Sequence, residues 1–166
     1  MWSRARRWLT PRYVRALQDR AAVSPDVLHV GVHADYRPHG GSDRIIVEIA
    51  ADHGSIDRLR TPMARRGSPQ RITRALEPDE ARRLSARLRE IDVFSLSHAH
   101  ESITDGLSCR FDFVLGKRTH AVRLRYGTQR SQPFDLLELF RQLAPIDLDT
   151  PFAFTTSSGE IYLRDR

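Results

Sequence analysis

A hairpin pattern in the second half of the chain constrains the fold more than any other feature. Apolar and polar residues alternate over positions 107–115, Gly116-Lys117 interrupts the pattern, and the alternation resumes over positions 118–126. A two-residue turn at Gly116-Lys117 would place Phe111 opposite Val122, so that the apolar side chains of both strands share one face. The sequence therefore predicts an antiparallel hairpin in this register.

Two segments have the apolar spacing of amphipathic helices. The first begins at Pro78, where a proline at the opening position and the carboxylates of Asp79 and Glu80 suit the positive end of a helix. The second begins after Ser131 and stops at Pro145. Their buried stripes are predicted to be Ala81, Leu84, Leu88 and Ile91 in the first helix and Phe134, Leu136, Leu137 and Phe140 in the second.

The first half of the chain alternates short apolar runs with loop-forming segments. Thr10-Pro11 is typical of a helix start and Ser24-Pro25-Asp26 of a helix end, with Tyr13, Val14, Leu17 and Ala21 on one face between them. The later apolar runs predict strands over residues 27–34, 44–51, 55–60 and 71–76. Composition predicts loops over residues 35–43 and 61–70 and a terminal hairpin within residues 151–166.

These elements together predict an α+β fold. We expect one antiparallel sheet with two main helices packed on one face, plus an N-terminal helix. Along the chain we expect a basic N-terminal helical segment over residues 1–26 and a single α+β domain over residues 27–166. A chain of 166 residues is long enough to bury a substantial core.

The positive charge of the chain is concentrated at its beginning. The formal net charge is +6, and residues 1–18 carry five arginines without an acidic residue. The rest of the chain is therefore close to neutral. We expect residues 1–18 to contribute little to the core and to be separable from the fold.

Two arginine-rich segments are candidate anion-binding sites. The N-terminal segment interleaves tryptophan with arginine, which suits nucleic acid or an anionic surface because guanidinium neutralises phosphate and indole stacks on bases. The second segment, residues 58–74, contains six arginines and no acidic residue. The candidate partner-binding residues are Trp2, Arg4, Arg6, Arg7, Trp8, Arg12, Arg65 and Arg66. The alternative interpretation is a helix docked through its tryptophans and a solvated loop.

The chain contains no motif of a familiar catalytic or nucleotide-binding site. Neither a nucleophile elbow, a phosphate-binding loop nor a dinucleotide fingerprint occurs. Cys109 is the only cysteine, so the chain can form neither an intrachain disulfide nor a thiolate metal cluster. We therefore expect a protein that is not an enzyme and that has no cofactor.

Clustered histidines leave a metal-dependent enzyme open as an alternative. His98 and His100 would share one face of an extended segment, and imidazole is a good zinc ligand. His33, Asp35 and His39 could converge only if the loop after the strand folds back. The ordinary interpretation of both groups is surface polar residues, and we assign no metal site.

The sequence shows no membrane-spanning or export segment. No apolar run approaches the roughly 20 residues that cross a bilayer. The basic start lacks the apolar stretch of a signal peptide because Pro11 and Arg12 interrupt it. With a single cysteine, the expected compartment is the cytoplasm.

Core and turn residues between positions 44 and 145 resemble a known family. The matching positions are Leu84, Leu88, Ile91-Asp92-Val93-Phe94-Ser95-Leu96, Thr104-Asp105-Gly106, the alternating hairpin and Pro133 to Leu143. They are similar to the small bacterial α+β domains exemplified by emfourin, an inhibitor of protealysin-type metalloproteinases, and to uncharacterised domains of bacterial lipoproteins. The resemblance implies a non-catalytic protein-binding module that inhibits or regulates a partner such as a metalloproteinase. Nucleic acid or an anionic surface, bound through the N-terminal segment, is the alternative partner.

Overall fold

The computed structural model describes residues 12–37, 41–62, 68–100, 106–126, 131–146, 154–155 and 161–162. The helices are α1 (Arg12–Val23), α2 (Pro78–Glu90) and α3 (Gln132–Leu143). The strands are β1 (Leu28–Arg37), β2 (Gly41–Ile49), β3 (Gly54–Thr61), β4 (Gln70–Ala75), β5 (Ala99–His100), β6 (Gly106–Leu115), β7 (Arg118–Tyr126), β8 (Phe154–Thr155) and β9 (Ile161–Tyr162).

The main sheet has the strand order β4-β3-β2-β1-β6-β7-β5. Its first six strands are antiparallel, and the two-residue strand β5 adds to β7 in parallel. Strands β8 and β9 form a separate antiparallel pair within the predicted terminal hairpin. The α+β fold class predicted from the sequence is confirmed.

The central strand β1 is covered on both faces. Val30, Val32 and Ala34 are at most 1% exposed and lie in the main core with α2 and α3. Gly31 points the other way, because successive strand residues face opposite sides of a sheet, and it contacts Leu17 of α1. As predicted, α2 and α3 share one face; α1 occupies the opposite one.

The hairpin of β6 and β7 has the register that the sequence predicts. Phe111 pairs with Val122, and Leu115 pairs with Arg118 across the two-residue turn. Gly116 has a φ angle of 55°, in the left-handed region that such turns require and that glycine adopts without strain. Phe111 and Phe113 are both fully buried, so the predicted apolar face is the core face.

Both main helices begin as predicted. At α2, the side chain of Glu80 accepts a hydrogen bond from the backbone N–H of Glu77 at 2.9 Å, and Pro78 occupies the first turn. At α3, the hydroxyl of Ser131 accepts a hydrogen bond from the backbone N–H of Phe134 at 3.4 Å. These contacts satisfy backbone donors that the first turn of a helix leaves unpaired.

The predicted loop over residues 35–43 is shorter than expected. Strand β1 continues to Arg37 and β2 begins at Gly41, so most of the polar segment belongs to the ladder. Asp43 explains the error: an aspartate in an apparent loop is instead fully buried in β2 and paired with arginines from distant parts of the chain. Composition could not reveal those partners.

The expectation that residues 1–18 contribute little to the core is wrong for those inside α1. Val14 and Leu17 are 5% and 1% exposed, and Leu17 forms a second buried cluster with Ala21 and Val114. The hydroxyl of Tyr13 donates a hydrogen bond to Asp112 at 2.7 Å. A separable head could therefore extend only to the residues before α1.

A charge cluster around Asp43 lies in the main core. Its carboxylate accepts hydrogen bonds from Arg58 at 3.2 Å and 3.1 Å, and guanidinium nitrogens of Arg60 and Arg141 lie 3.5 Å and 3.6 Å away. Arg58 also donates to the carbonyl oxygen of Ala144, just after α3, at 2.8 Å. The cluster joins β2, β3 and the carboxyl end of α3.

Arg74 of β4 makes a second connection between helix ends. It donates to the carbonyl oxygen of Leu143 at 2.9 Å and to both carboxylate oxygens of Glu80 at 2.7 Å and 2.9 Å. The hydrogen bonds from Arg74 lower the pKa of Glu80 to about 2. One side chain therefore links the end of α3 with the start of α2.

Asp43→Asn should lower the free energy of unfolding by about 3–5 kcal/mol, because buried guanidinium groups lose their shared counter-charge. Urea unfolding followed by circular dichroism measures the loss. Asp57→Asn is the matched control, since Asp57 also binds an arginine with both oxygens but does so at the surface, where Arg71 is 61% exposed. Equal losses in the two variants would contradict a structural role for the buried cluster.

Gly31→Val should displace α1 from the sheet. A β-carbon at position 31 would lie 2.7 Å from Leu17 Cδ1, and overpacking of this kind costs about 1–3 kcal/mol. Hydrogen exchange of α1 amides should become faster while exchange in β6 and β7 stays slow. Ala121→Val, at an exposed position in the same cross-strand row, should change neither.

Candidate functional site

A row of basic residues crosses the sheet on the face that carries α1. Cross-strand pairing places Arg71, Leu59, Arg44, His33, Arg110 and Arg123 side by side on strands β4, β3, β2, β1, β6 and β7. Directly paired residues of antiparallel strands project from the same face. We call these six residues the arginine row.

The arginine row is long, narrow and accessible. Five strand spacings of about 4.8 Å give it a length of about 24 Å. Arg44, Arg71 and Arg123 are exposed, and His33 and Arg110 are partly exposed. Aspartates lie on both sides of it, with Asp57 and Asp112 in the neighbouring row on one side and Asp35 in the row on the other side, which also contains Arg125. The arginine row is thus a basic stripe with three carboxylates in the neighbouring rows.

The flanking aspartates hold two of the arginines in place. Arg71 donates to both oxygens of Asp57 at 2.8 Å and 2.7 Å, and these hydrogen bonds lower the pKa of Asp57. Arg110 likewise donates hydrogen bonds of 2.7 Å to 3.0 Å to both oxygens of Asp112, and these hydrogen bonds raise the pKa of Arg110. Paired guanidinium groups of this kind are ordered before any ligand arrives.

The amino end of α1 points toward the arginine row. Tyr13 lies against Gly31 and Asp112, one row away, whereas Arg20 lies at the other end of the helix beside Glu48. Burial and the Asp112 carboxylate raise the pKa of Tyr13. Asp112 thus accepts hydrogen bonds from Tyr13 of α1 and from Arg110 of the row, and connects the two.

Most of the residues predicted from the sequence to bind a partner are not among those that the structure describes. Arg12 is described: it is the exposed first residue of α1 and lies at the end nearest the arginine row. Trp2, Arg4, Arg6, Arg7, Trp8, Arg65 and Arg66 lie outside the described residues. The structure therefore shows Arg12 exposed at the start of α1, and all of these residues stay predictions as a binding site.

The segment over residues 58–74 is not the continuous basic surface that its composition indicated. Arg58 and Arg60 are 2% and 4% exposed and face the core cluster around Asp43. Arg74 binds Glu80, and only Arg71 among the described arginines of the segment joins the arginine row. Strand alternation separates the members of one basic run onto opposite faces.

Several of the described histidines have polar contacts within the fold. His98 Nδ1 accepts a hydrogen bond from the backbone N–H of Arg123 at 3.0 Å, and His120 Nε2 lies 2.8 Å from the carbonyl oxygen of Leu96. His33 lies 3.4 Å from Asp35. The side chain of His100 and all of His39 are outside the described part. Within that part, no group of three or more histidine, cysteine, aspartate or glutamate residues could hold a metal ion.

Sequence reasoning found only part of the arginine row. The alternation of the hairpin already placed Arg110 and Arg123 on the face opposite the apolar one. Arg44 gave no separate signal, because its neighbours on β1 and β3 are known only once the strand order is known. Its position before Ile45 and Val47 was the available clue, since adjacent strand residues face opposite sides and these apolar residues fill the core.

Among the helices described, none is both long enough and apolar enough to cross a bilayer.

Burial of Cys109 raises the pKa of its thiol well above the ordinary value, which keeps it protonated and unreactive.

No protein-family model matches the chain, and no curated protein matches it significantly. The resemblance to emfourin-like domains therefore stays a prediction.

Proposed function

We propose that the protein is a non-catalytic binding module for nucleic acid and that the arginine row is its binding surface. The observation that supports this proposal is the row itself: four arginines and one histidine occupy five of six adjacent positions across an exposed sheet face. Backbone phosphates are the common partners of such rows because arginine neutralises them and releases their counterions.

The arrangement of charged residues on this face favours a linear polyanion over a flat anionic membrane. A bilayer laid on this face would bring headgroups against Asp35 and Asp57 as well as against the arginines. Membrane binding also draws on exposed apolar side chains, and Val23 is the only large apolar residue among the described ones that is strongly exposed. A narrow strand of phosphates can follow the row without covering the neighbouring rows that contain the carboxylates.

The twist of the sheet points to a flexible ligand. Adjacent strands rotate by about 20–25° relative to each other, so the direction of the side chains turns progressively from β4 to β7. A single strand of nucleic acid can bend to follow such a winding stripe. We therefore take single-stranded nucleic acid as the form best suited to the row.

The residues before α1 are a second candidate binding segment of the same chain. Arg12, the first residue of α1, is joined through Pro11 to the segment that carries Trp2, Arg4, Arg6, Arg7 and Trp8. We expect this segment to add cationic and aromatic contacts to the same ligand. Inhibition or regulation of a partner protein, which the emfourin resemblance implies, remains a separate prediction.

The double variant Arg44→Gln and Arg123→Gln should bind single-stranded DNA more weakly than the wild type. Each arginine that no longer neutralises a phosphate should reduce the slope of log K against log salt by about 0.7. Fluorescence anisotropy of a labelled oligothymidylate over a series of salt concentrations measures both effects.

The matched control is Arg83→Gln and Arg89→Gln, which removes the same charge from exposed positions of α2 on the other side of the sheet. This control should keep most of the affinity and the full salt slope. Equal weakening in both pairs would indicate unspecific charge attraction. Failure of the wild type to bind at low salt would rule out the proposal.

Deletion of residues 1–10 should leave a folded protein, because α1 and its buried cluster are kept. Affinity for the oligothymidylate should fall and the remaining binding should still depend on Arg44. Circular dichroism checks the fold and anisotropy checks the binding. Full loss of binding with an intact fold would move the site from the sheet to the N-terminal segment.

A further inference from the structure

His29 is a histidine buried beneath α1. The residue is 2% exposed, and neither ring nitrogen has a hydrogen-bond partner among the residues that the structure describes. Its Nδ1 lies 3.5 Å from Glu48 Oε1, too long for a good hydrogen bond but within ion-pair distance if the imidazole is protonated. Buried polar groups in folded proteins almost always have a partner, and one without a partner costs stability. Stability of the fold therefore does not explain a histidine at this position.

The charged groups that face His29 are Glu48 from β2 and Arg20 from α1. Glu48 is the direct cross-strand partner of His29, and its carboxylate accepts a hydrogen bond from Arg20 at 2.6 Å. Strand β6 contributes the buried, apolar Val114 on the other side. The carboxylate beside the imidazole is thus already used to hold α1 against β2.

We propose that His29 is an acid-sensitive switch: when its imidazole takes up a proton, α1 is released from the sheet. The proposal concerns how α1 is held and does not depend on what the arginine row binds.

Protonation conflicts with the docked position of α1 in two ways. A buried imidazolium needs either a counter-charge or water. The nearest counter-charge is Glu48, and drawing it toward His29 weakens its hydrogen bond with Arg20. Movement of α1 away from the sheet would let water reach the ring. Both responses weaken the attachment of α1.

The direction of the pH effect follows from burial. Burial lowers the pKa of His29 while α1 is docked, whereas a solvated imidazole has its ordinary value. The released form therefore binds the proton more tightly, and docking is favoured above the ordinary pKa. Docking weakens as the pH falls from there to the lowered pKa of the docked form, and it is constant below that.

Release of α1 can occur without unfolding of the domain. The cluster that holds α1 consists of Leu17, Ala21 and Val114 with Tyr13 and Ile46 packed against it, and it is separate from the core formed with α2 and α3. Small satellite clusters open locally at lower free energy than the main core. Protonation of His29 should therefore release α1 while the sheet and the main core stay folded.

Hydrogen exchange of the full-length protein between about pH 7.5 and about pH 5 tests the proposal, because histidine titrates in this range while carboxylates stay ionised. After correction for intrinsic exchange, protection of α1 amides should fall by up to about tenfold per pH unit, the limit for one linked proton. Protection of β6 amides should stay constant. His29→Leu should remove the pH dependence in α1, and His33→Gln, on the same face of β1, should keep it.

Two results would overturn the proposal: equal protection of α1 at both ends of the pH range in the wild type, or an unchanged pH dependence in His29→Leu. If His29→Leu does not fold, the imidazole signal of His29 in the wild type decides by nuclear magnetic resonance. It should titrate together with the opening of α1, and a titration that leaves α1 unchanged would count against the switch.

Discussion

The buried carboxylate of Asp43 is the interaction on which the rest of the architecture depends. It brings Arg58 and Arg60 of β3 together with Arg141 of α3, which is far from them in the sequence, and so joins β2, β3 and the end of α3. A slip of one residue in β2 would turn Asp43 to the opposite face and leave these guanidinium groups in the core without it. The cluster therefore fixes the register of β2, and with it the position of every other side chain on that strand.

The same constraint creates the candidate binding surface. Because Asp43 faces the core, its neighbour Arg44 must face outward, beside His33 of β1 and Leu59 of β3. The hairpin register acts in the same way on the other half of the sheet, where buried Phe111 and Val122 leave Arg110 and Arg123 outside. The arginines of the row therefore face outward for two independent reasons. On β2 the charge cluster around Asp43 is buried on the other face, and in the hairpin Phe111 and Val122 are buried on the other face.

Local sequence patterns predicted the elements that depend on neighbours in the chain. The hairpin, the starts of α2 and α3, and the apolar face of α1 follow from alternation, helical spacing and capping residues, all of which act over a few positions. The loop over residues 35–43 and the basic segment over residues 58–74 were misread for one reason. In both, polar residues enter the core because their partners come from the paired strand and from α3, and the pattern of either segment alone does not contain that information. His29 is a similar case: strand alternation puts it on the face opposite Val30 and Val32, but its burial depends on the docking of α1.

The sequence by itself determined that this chain forms hairpins and amphipathic helices that assemble into an α+β domain, because periodicity of 2 or 3.6 residues decides which side chains can share an apolar face. It also determined an excess of arginine at the N-terminal end. Only the tertiary structure decided which arginines stabilise the core and which lie in a row at the surface. The physical reason is that a guanidinium group is stable in either environment, and the choice depends on whether strand order and helix packing bring a carboxylate to it.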